Sequence, residues 1–214
     1  MLVFQRAGSR IRFMIKNFWA FPHTLLYRKS SDRLLIKKDI AQWIRICAPQ
    51  RSNYSTVRNL VWLVRVYPEF RNLFYFRVGS YNSIWGKLMV FLTKTFYKPI
   101  SNLRFYFPSI GAGLFIQYGY GTIIGAKAIG ENCWICQCVA IGYKNENSGV
   151  PVIGNNVFIG AGVKILGPVS IGDNVTIGAN AVVTKNVPAN CTVAGVPARI
   201  IKRNGVRVDE PLSN

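Results

Sequence analysis

Two rhythms of apolar residues divide the chain. Over residues 1–104 the apolar positions recur at helical spacing. Ile11, Met14, Ile15, Phe18 and Trp19 share one stripe with Phe21 at its edge, and Pro22 is expected to end that helix. Arg10, Arg12, Lys16 and Asn17 lie mostly off the stripe, which makes a basic amphipathic helix of the kind that rests in a membrane interface. The other use of such a stripe is packing on the rest of the protein. Ser31 or Asp32 is placed to cap a second helix, with Ile36, Ile40, Trp43, Ile44 and Cys47 on one face. A third helix, from about Ser55 to Val66, groups Val57, Leu60, Val61 and Val64, and Pro68 ends or restarts it. The stretch from Glu69 to Gly79 is aromatic and basic. A last helix near Ser83 to Phe96 carries Trp85, Leu88, Met89, Leu92 and Phe96, a stripe expected to be core.

After Tyr106 the rhythm changes to a strict six. Branched apolar residues stand at Ile153, Ile159, Ile165, Ile171, Ile177 and Val183, each followed four places on by Val157, Val163, Val169, Val175, Ala181 and Val187. Upstream the same phase holds at Ile129, Ile135 and Ile141, with Ile110 and Ile116 in another register. Neither a helix nor an ordinary strand has that period, but a parallel β-helix built of hexapeptides does. Each hexad makes one short strand and one turn, and three hexads make a triangular coil whose branched residues stack inward. Gly and Asn supply the positive φ angles of the corners. The stack needs covers at its ends, the helical half at one and the stretch from Pro197 to Lys202 beginning the other. The expected fold class is α+β: a basic, mainly helical region 1–104, a left-handed parallel β-helix 105–200 and a tail 201–214. The stretch from Tyr143 to Val152 drops the hexad pattern and is expected as an exposed loop.

Charge sharpens the division. The net charge is +19; residues 1–104 hold 19 Lys and Arg against 3 acids, and residues 105–214 hold 8 against 5. A basic, aromatic half points to an anionic partner. No zinc-finger spacing or RNA-binding signature stands in it, which favours a membrane surface over nucleic acid. Lys16 interrupts the apolar region a signal peptide would need. The uncharged run from Phe105 to Ala126 holds five glycines and the six-residue repeat, so it is not read as a membrane span. Five cysteines and no signal peptide point to a reducing cytosol, and a peripheral place on the inner membrane face follows. Cys133, Cys136 and Cys138 have no obvious fourth metal ligand, and in a β-helix their side chains diverge; no metal is expected.

The segments GAGLFI–YGYGTIIG, IGENCWICQCVAIG, VFIGAGVKILGPVSIGDNVTIGANAVV and VPANCTVAGVPARIIKR resemble the left-handed β-helix acyltransferases. Within them the likeness is greatest to serine acetyltransferases and the O-acetyltransferases of surface-polysaccharide assembly, from about Ile110 to Arg203. The resemblance implies transfer of an acetyl group from acetyl-CoA to a hydroxyl, in a homotrimer with each site in a cleft between two β-helices. It implies that pantetheine amides pair with backbone at Gly160, Ala161, Gly178 and Ala179, and that Lys185, Arg199, Lys202 and Arg203 face the phosphates. For the glycines and alanines, forming corners is the competing role.

The likeness breaks at the catalytic position. Where the family carries a histidine that deprotonates the acceptor, this chain has Tyr118, and Gln117 replaces the aspartate before it. Histidine suits that role because its ordinary pKa lies near neutrality; an ordinary tyrosine, near 10, stays protonated. General-base help is typically worth roughly 10²–10⁴-fold. The region Asn102 to Phe107 lacks the acid that would orient the histidine, and Gly149 and Val150 replace an Arg-His pair that handles the amino-acid substrate. The chain's single histidine is His23. The implied acceptor is therefore a sugar of a surface polysaccharide or its lipid-linked precursor, with serine as a further candidate. A non-catalytic relative that binds CoA or an active partner subunit is the alternative.

Overall fold

The computed structural model describes residues 21–79, 84–106, 109–146 and 148–212. The chain forms two compact units, Met1–Pro99 and Ile100–Asn214. The expected amphipathic helix before Phe21 lies outside the described residues.

The first unit holds α1 (Phe21–Lys29), α2 (Arg33–Cys47), a 3-10 turn (Pro49–Arg51), α3 (Thr56–Val66), α4 (Pro68–Val78) and α5 (Ile84–Phe96). Pro22, expected to end a helix, lies within helical chain, where a missing N–H is tolerated if no acceptor needs it. Asp32 stands at the N-terminus of α2 but makes no capping bond; the Ser30 hydroxyl instead accepts from its amide at 3.1 Å. Ser55 does cap α3, accepting from the Arg58 amide at 3.4 Å. Pro68 restarts the chain as the first residue of α4, the position where proline costs least. Ile36, Ile40, Trp43 and Ile44 are buried as their spacing predicts. On α3, Leu63 joins Leu60 and Val64 inside, while Val57 and Val61 are only half-buried. Trp43 meets Tyr67 and Phe70 edge-on at 5.6 and 5.3 Å, and Arg77 and Asp39 form a buried bidentate pair at 2.9 and 3.3 Å.

The stripe of α5 is a correction. Trp85 is 77% exposed, and Leu88, Leu92 and Phe96 are exposed with it. Spacing says that one face of a helix is apolar; it does not say what covers that face.

The second unit is the β-helix. Its strands fall into three sheets: β1 (Arg104–Phe105), β4 (Ile123–Ile124), β7 (Ala140–Gly142), β10 (Lys164–Leu166) and β13 (Val182–Val183); β2 (Ser109–Ile110), β5 (Ala128–Ile129), β8 (Val152–Ile153) and β11 (Ser170–Ile171); β3 (Phe115–Ile116), β6 (Trp134–Ile135), β9 (Phe158–Ile159), β12 (Thr176–Ile177) and β14 (Cys191–Ala194). All of these pairings are parallel, every third strand pairing with its equivalent one coil on. The architecture is α+β, with helices followed by a left-handed β-helix. Ile110, Ile116, Ile124, Ile129, Ile135, Ile141, Ile153, Ile159, Ile165, Ile171, Ile177 and Val183 all point inward and are buried.

Two columns fix the corners. Gly111, Gly130, Gly154 and Gly172 stack where successive coils approach; a Cβ on Gly130 would stand 2.5 Å from the Gly154 carbonyl carbon. Asn156, Asn174 and Asn190 hold φ of 54°, 57° and 57° and link side chain to side chain at 3.2 and 2.9 Å. Such a ladder satisfies each amide while holding the left-handed backbone that asparagine tolerates.

The expected tail from 201 is instead part of this unit. β15 (Arg199–Arg203) and β16 (Val206–Pro211) form an antiparallel hairpin that extends the third sheet from β14.

Candidate active site

The register of the third sheet brings distant residues into columns. Phe115 lies beside Trp134, Trp134 beside Phe158, Phe158 beside Thr176 and Thr176 beside Thr192. Two positions further along each strand, Gln117, Cys136, Gly160, Gly178 and Ala194 make a column. The next holds Tyr118, Gln137, Ala161, Ala179 and Gly195. Coils repeat at about 4.8 Å, so Gln117 stands roughly 10 Å from Gly160 and roughly 14 Å from Gly178 along the axis. The six residues expected at the acetyl and pantetheine positions therefore share one edge of the β-helix.

At the foot of that edge the hexad phase slips. Ile116 and Ile124, both inward, are eight apart, and the additional residues swell the corner from Gln117 to Thr122. Tyr118, Gly119 and Gly121 hold φ of 61°, 31° and 63°, and the Tyr118 carbonyl accepts from the Tyr120 amide. Tyr118 is 59% exposed, with its ring turned away from the core. Thr122 turns the chain back in: its buried hydroxyl donates to the Cys136 carbonyl at 3.3 Å and accepts from the Val139 amide at 3.4 Å.

Gln117 is held. Its Oε1 accepts from Trp134 Nε1 at 3.0 Å, with Cys136 Sγ at 3.8 Å. Trp134 is fixed in turn between Phe115 and Phe158, ring centroids 4.8 and 5.7 Å away. With its oxygen committed, the amide presents Nε2, which has no hydrogen-bond partner among the described residues. The corner thus offers two donors, Gln117 Nε2 and the Tyr118 hydroxyl, where a general base was sought.

Histidine does not supply the base. His23 is fully buried in the helical unit, its Nε2 2.9 Å from the Tyr75 hydroxyl, which donates to the Tyr97 carbonyl at 3.0 Å. Burial, with Arg71 nearby, lowers its pKa to about 3. It is a neutral core residue.

Further up the edge, the amides of Ala161 and Ala179 donate to no group among the described residues, while their neighbours at 160, 162, 178 and 180 are paired. Two stacked, unspent N–H groups can meet the carbonyls of an extended amide-bearing chain. The glycines carry less of that argument. A Cβ at Gly160 would lie 2.7 Å from the Ala179 amide nitrogen, so the coil above already requires glycine there.

The basic residues divide. Lys185 and Arg199 line one cavity of about 130 Å³ with Thr184 and Pro197 at the end of the β-helix. Arg199 is paired with Asp209 at 2.7 Å and Arg203 with Glu210 at 2.5 Å, both from β16. Lys202 pairs in register with Thr192, on the outer face of the third sheet. Exposed ion pairs such as those of Arg199 and Arg203 contribute little to stability.

Tyr106, Ile123, Ile141, Tyr143 and Val150 line an apolar groove of about 570 Å³ beside the loop between β7 and β8. The loop is closed by Ser148, whose hydroxyl accepts from the amides of Lys144 and Asn145 at 2.8 and 3.1 Å. β4, which contributes Ile123, begins directly after the Tyr118 corner. Neither the groove nor the role of Trp134 was read from the sequence. Trp134 was within reach through the 19-residue offset that sets it beside Phe115. Of the cysteines, Cys133 is buried and donates to the Gly154 carbonyl at 3.2 Å, while Cys138 is exposed at a corner with φ 59°. Burial raises the Cys133 thiol to about 11.

The fold and this edge are similar to those of the serine acetyltransferases. The family profile described as "Bacterial transferase hexapeptide (six repeats)" matches residues 151–185. The serine acetyltransferase of Synechococcus elongatus is 50% identical over 103 residues, 47% of this chain and 42% of that protein. The chain thus matches about half the length of its curated relatives. The crystal structure of serine acetyltransferase from Vibrio cholerae superposes with a TM-score of 0.63 at 26% identity, covering 85% of this chain and 69% of the other. A serine acetyltransferase solved in complex with CoA gives 0.61 at 26%, covering 83% and 73%.

Proposed function

We propose that this chain is an acetyl-CoA-dependent O-acetyltransferase. The observation that carries the reading is the shared edge: the Gln117–Tyr118 corner at its foot and the unspent amides of Ala161 and Ala179 above it. Those amides would hold the pantetheine arm, and Lys185, Arg199 and Lys202 the phosphates. The acceptor oxygen attacks the thioester carbonyl carbon, the C–S bond breaks, and the departing CoA thiolate takes up the acceptor's proton. Gln117 Nε2 and the Tyr118 hydroxyl donate to the oxygens on which charge gathers, the part of such catalysis that survives without a base. The experiment is release of CoA thiol from acetyl-CoA with sugar-phosphate and serine acceptors, comparing wild type with Tyr118→Phe. Turnover cut about tenfold in the variant, with acetyl-CoA binding kept, supports the reading; binding without turnover on any acceptor marks a non-catalytic relative.

For the acceptor we favour a sugar hydroxyl of a surface polysaccharide or its lipid-linked precursor. The groove beside Tyr143 is broad and mostly apolar, with Tyr106, Ile123, Ile141, Tyr143 and Val150 on its walls and Lys127 as the one cation among its described lining residues. Serine is the second reading, favoured by the relatives' activity. We place the protein in the cytoplasm as a homotrimer, with a neighbouring copy completing each cleft. Peripheral contact with the inner membrane face would come from the helical unit, where Ile84, Trp85, Leu88, Phe91 and Leu92 are exposed beside Lys87 and Lys94. Among the described residues no helix is long and apolar enough to cross a membrane.

A further inference from the structure

A second site candidate lies wholly within the helical unit and is independent of acetyl transfer. The 3-10 turn and α3 enclose a groove of about 390 Å³, within the size range of small-molecule sites. Three guanidinium groups line it, those of Arg51, Arg58 and Arg65. Arg58 and Arg65 stand seven residues apart on α3, two turns along one face. Arg51 reaches the same groove from the 3-10 turn and is clamped between two rings, its guanidinium carbon 4.7 Å from the centroids of both Tyr54 and Trp62. The Arg58 guanidinium carbon also lies over the Tyr54 ring, 5.5 Å from its centroid.

Among the described residues no acid pairs with this cluster. The acids of the described helical unit are Asp32, Asp39 and Glu69; Asp39 pairs with Arg77, and none pairs with Arg51, Arg58 or Arg65. Arg51 Nε is buried and has no hydrogen-bond partner. A buried charged donor left unpaired is costly, and its natural complement is an anion able to take several N–H groups at once. Stacking between two rings fixes the fork of Arg51 before any ligand arrives, which lowers the ordering cost of binding. Three arginines on one groove exceed what one carboxylate can use and suit the oxygens of a phosphate or diphosphate. The aromatic and valine walls suit whatever apolar or sugar group carries it.

We propose that the Arg51–Tyr54–Trp62 clamp, with Arg58 and Arg65, binds the phosphate of a phosphorylated ligand, as a monoester or diphosphate. The test is calorimetric titration of the full-length chain with inorganic pyrophosphate. Wild type is expected to bind saturably, with one equivalent at this groove. Arg58→Gln with Arg65→Gln should remove or weaken that equivalent at least tenfold, whereas Arg28→Gln with Lys29→Gln, exposed cations outside the groove, should leave it unchanged. Arg51→Lys, which keeps the charge but loses the stacked fork, should weaken it also. Unsaturable binding by wild type, or equal affinity in the double arginine variant with its helical circular dichroism intact, overturns the proposal. Competition then separates the sources. Displacement of pyrophosphate by phosphatidic acid vesicles, and not by glucose 1-phosphate, marks a lipid headgroup. The reverse marks a soluble phosphate ester, and displacement by neither counts against a ligand-binding role.

Discussion

Trp134 Nε1 donates to Gln117 Oε1 at 3.0 Å, across one coil of the β-helix. This bond decides which end of the Gln117 amide faces outward. Trp134→Phe keeps the ring between Phe115 and Phe158 and removes the donor. A neutral hydrogen bond is worth about 0.5–1.5 kcal/mol, so turnover should fall roughly two- to tenfold while acetyl-CoA affinity stays as it was. Steady-state kinetics beside calorimetry read the two effects separately.

Tyr118 separates a donor site from a base site. Tyr118→Phe should cut turnover by about tenfold, the worth of one hydrogen bond in a charge-gathering step. Tyr118→His adds a group able to take a proton near neutrality and should raise turnover instead, by up to roughly 10²-fold, with a new rise between pH 6 and 8. If neither variant changes a measurable activity, the corner does not carry the chemistry.

The inward face of the β-helix was legible in the sequence because burial there has a fixed period of six, and each Ile in phase is in the core. The corner at Tyr118 was legible as a break in that phase. What lay beyond the period was not. The pairing of Arg199 with Asp209 depends on a hairpin formed after the hexads end. The exposure of Trp85 was hidden because an apolar stripe looks alike whether or not something covers it. Gly160 read as a ligand-contact glycine, yet the neighbouring coil already demands it.

His23 makes stability depend on pH. Its folded pKa is lowered from 6.5 to about 3, so between those values the unfolded chain binds a proton that the folded chain refuses. Stability is therefore full above about pH 6.5 and falls as the pH drops toward 3. Urea unfolding from pH 7 to pH 4 should show that fall, and His23→Gln should show a shallower one.

The buried pair of Asp39 and Arg77 should be sensitive to half-removal. Asp39→Ala leaves a buried guanidinium without its carboxylate and should cost about 3–5 kcal/mol. Asp39→Leu combined with Arg77→Met should recover most of that loss. Chemical denaturation of the single and double variants checks both expectations.

The central claim is that the edge above Tyr118 receives acetyl-CoA. Calorimetric titration of acetyl-CoA into the wild-type chain and into Ala179→Trp tests it most directly, since a large side chain there would cover the unspent amide at the middle of the edge. The account predicts saturable micromolar binding to wild type and at least a hundredfold loss in the variant. No binding to wild type at millimolar acetyl-CoA, or equal binding to both proteins, would contradict it.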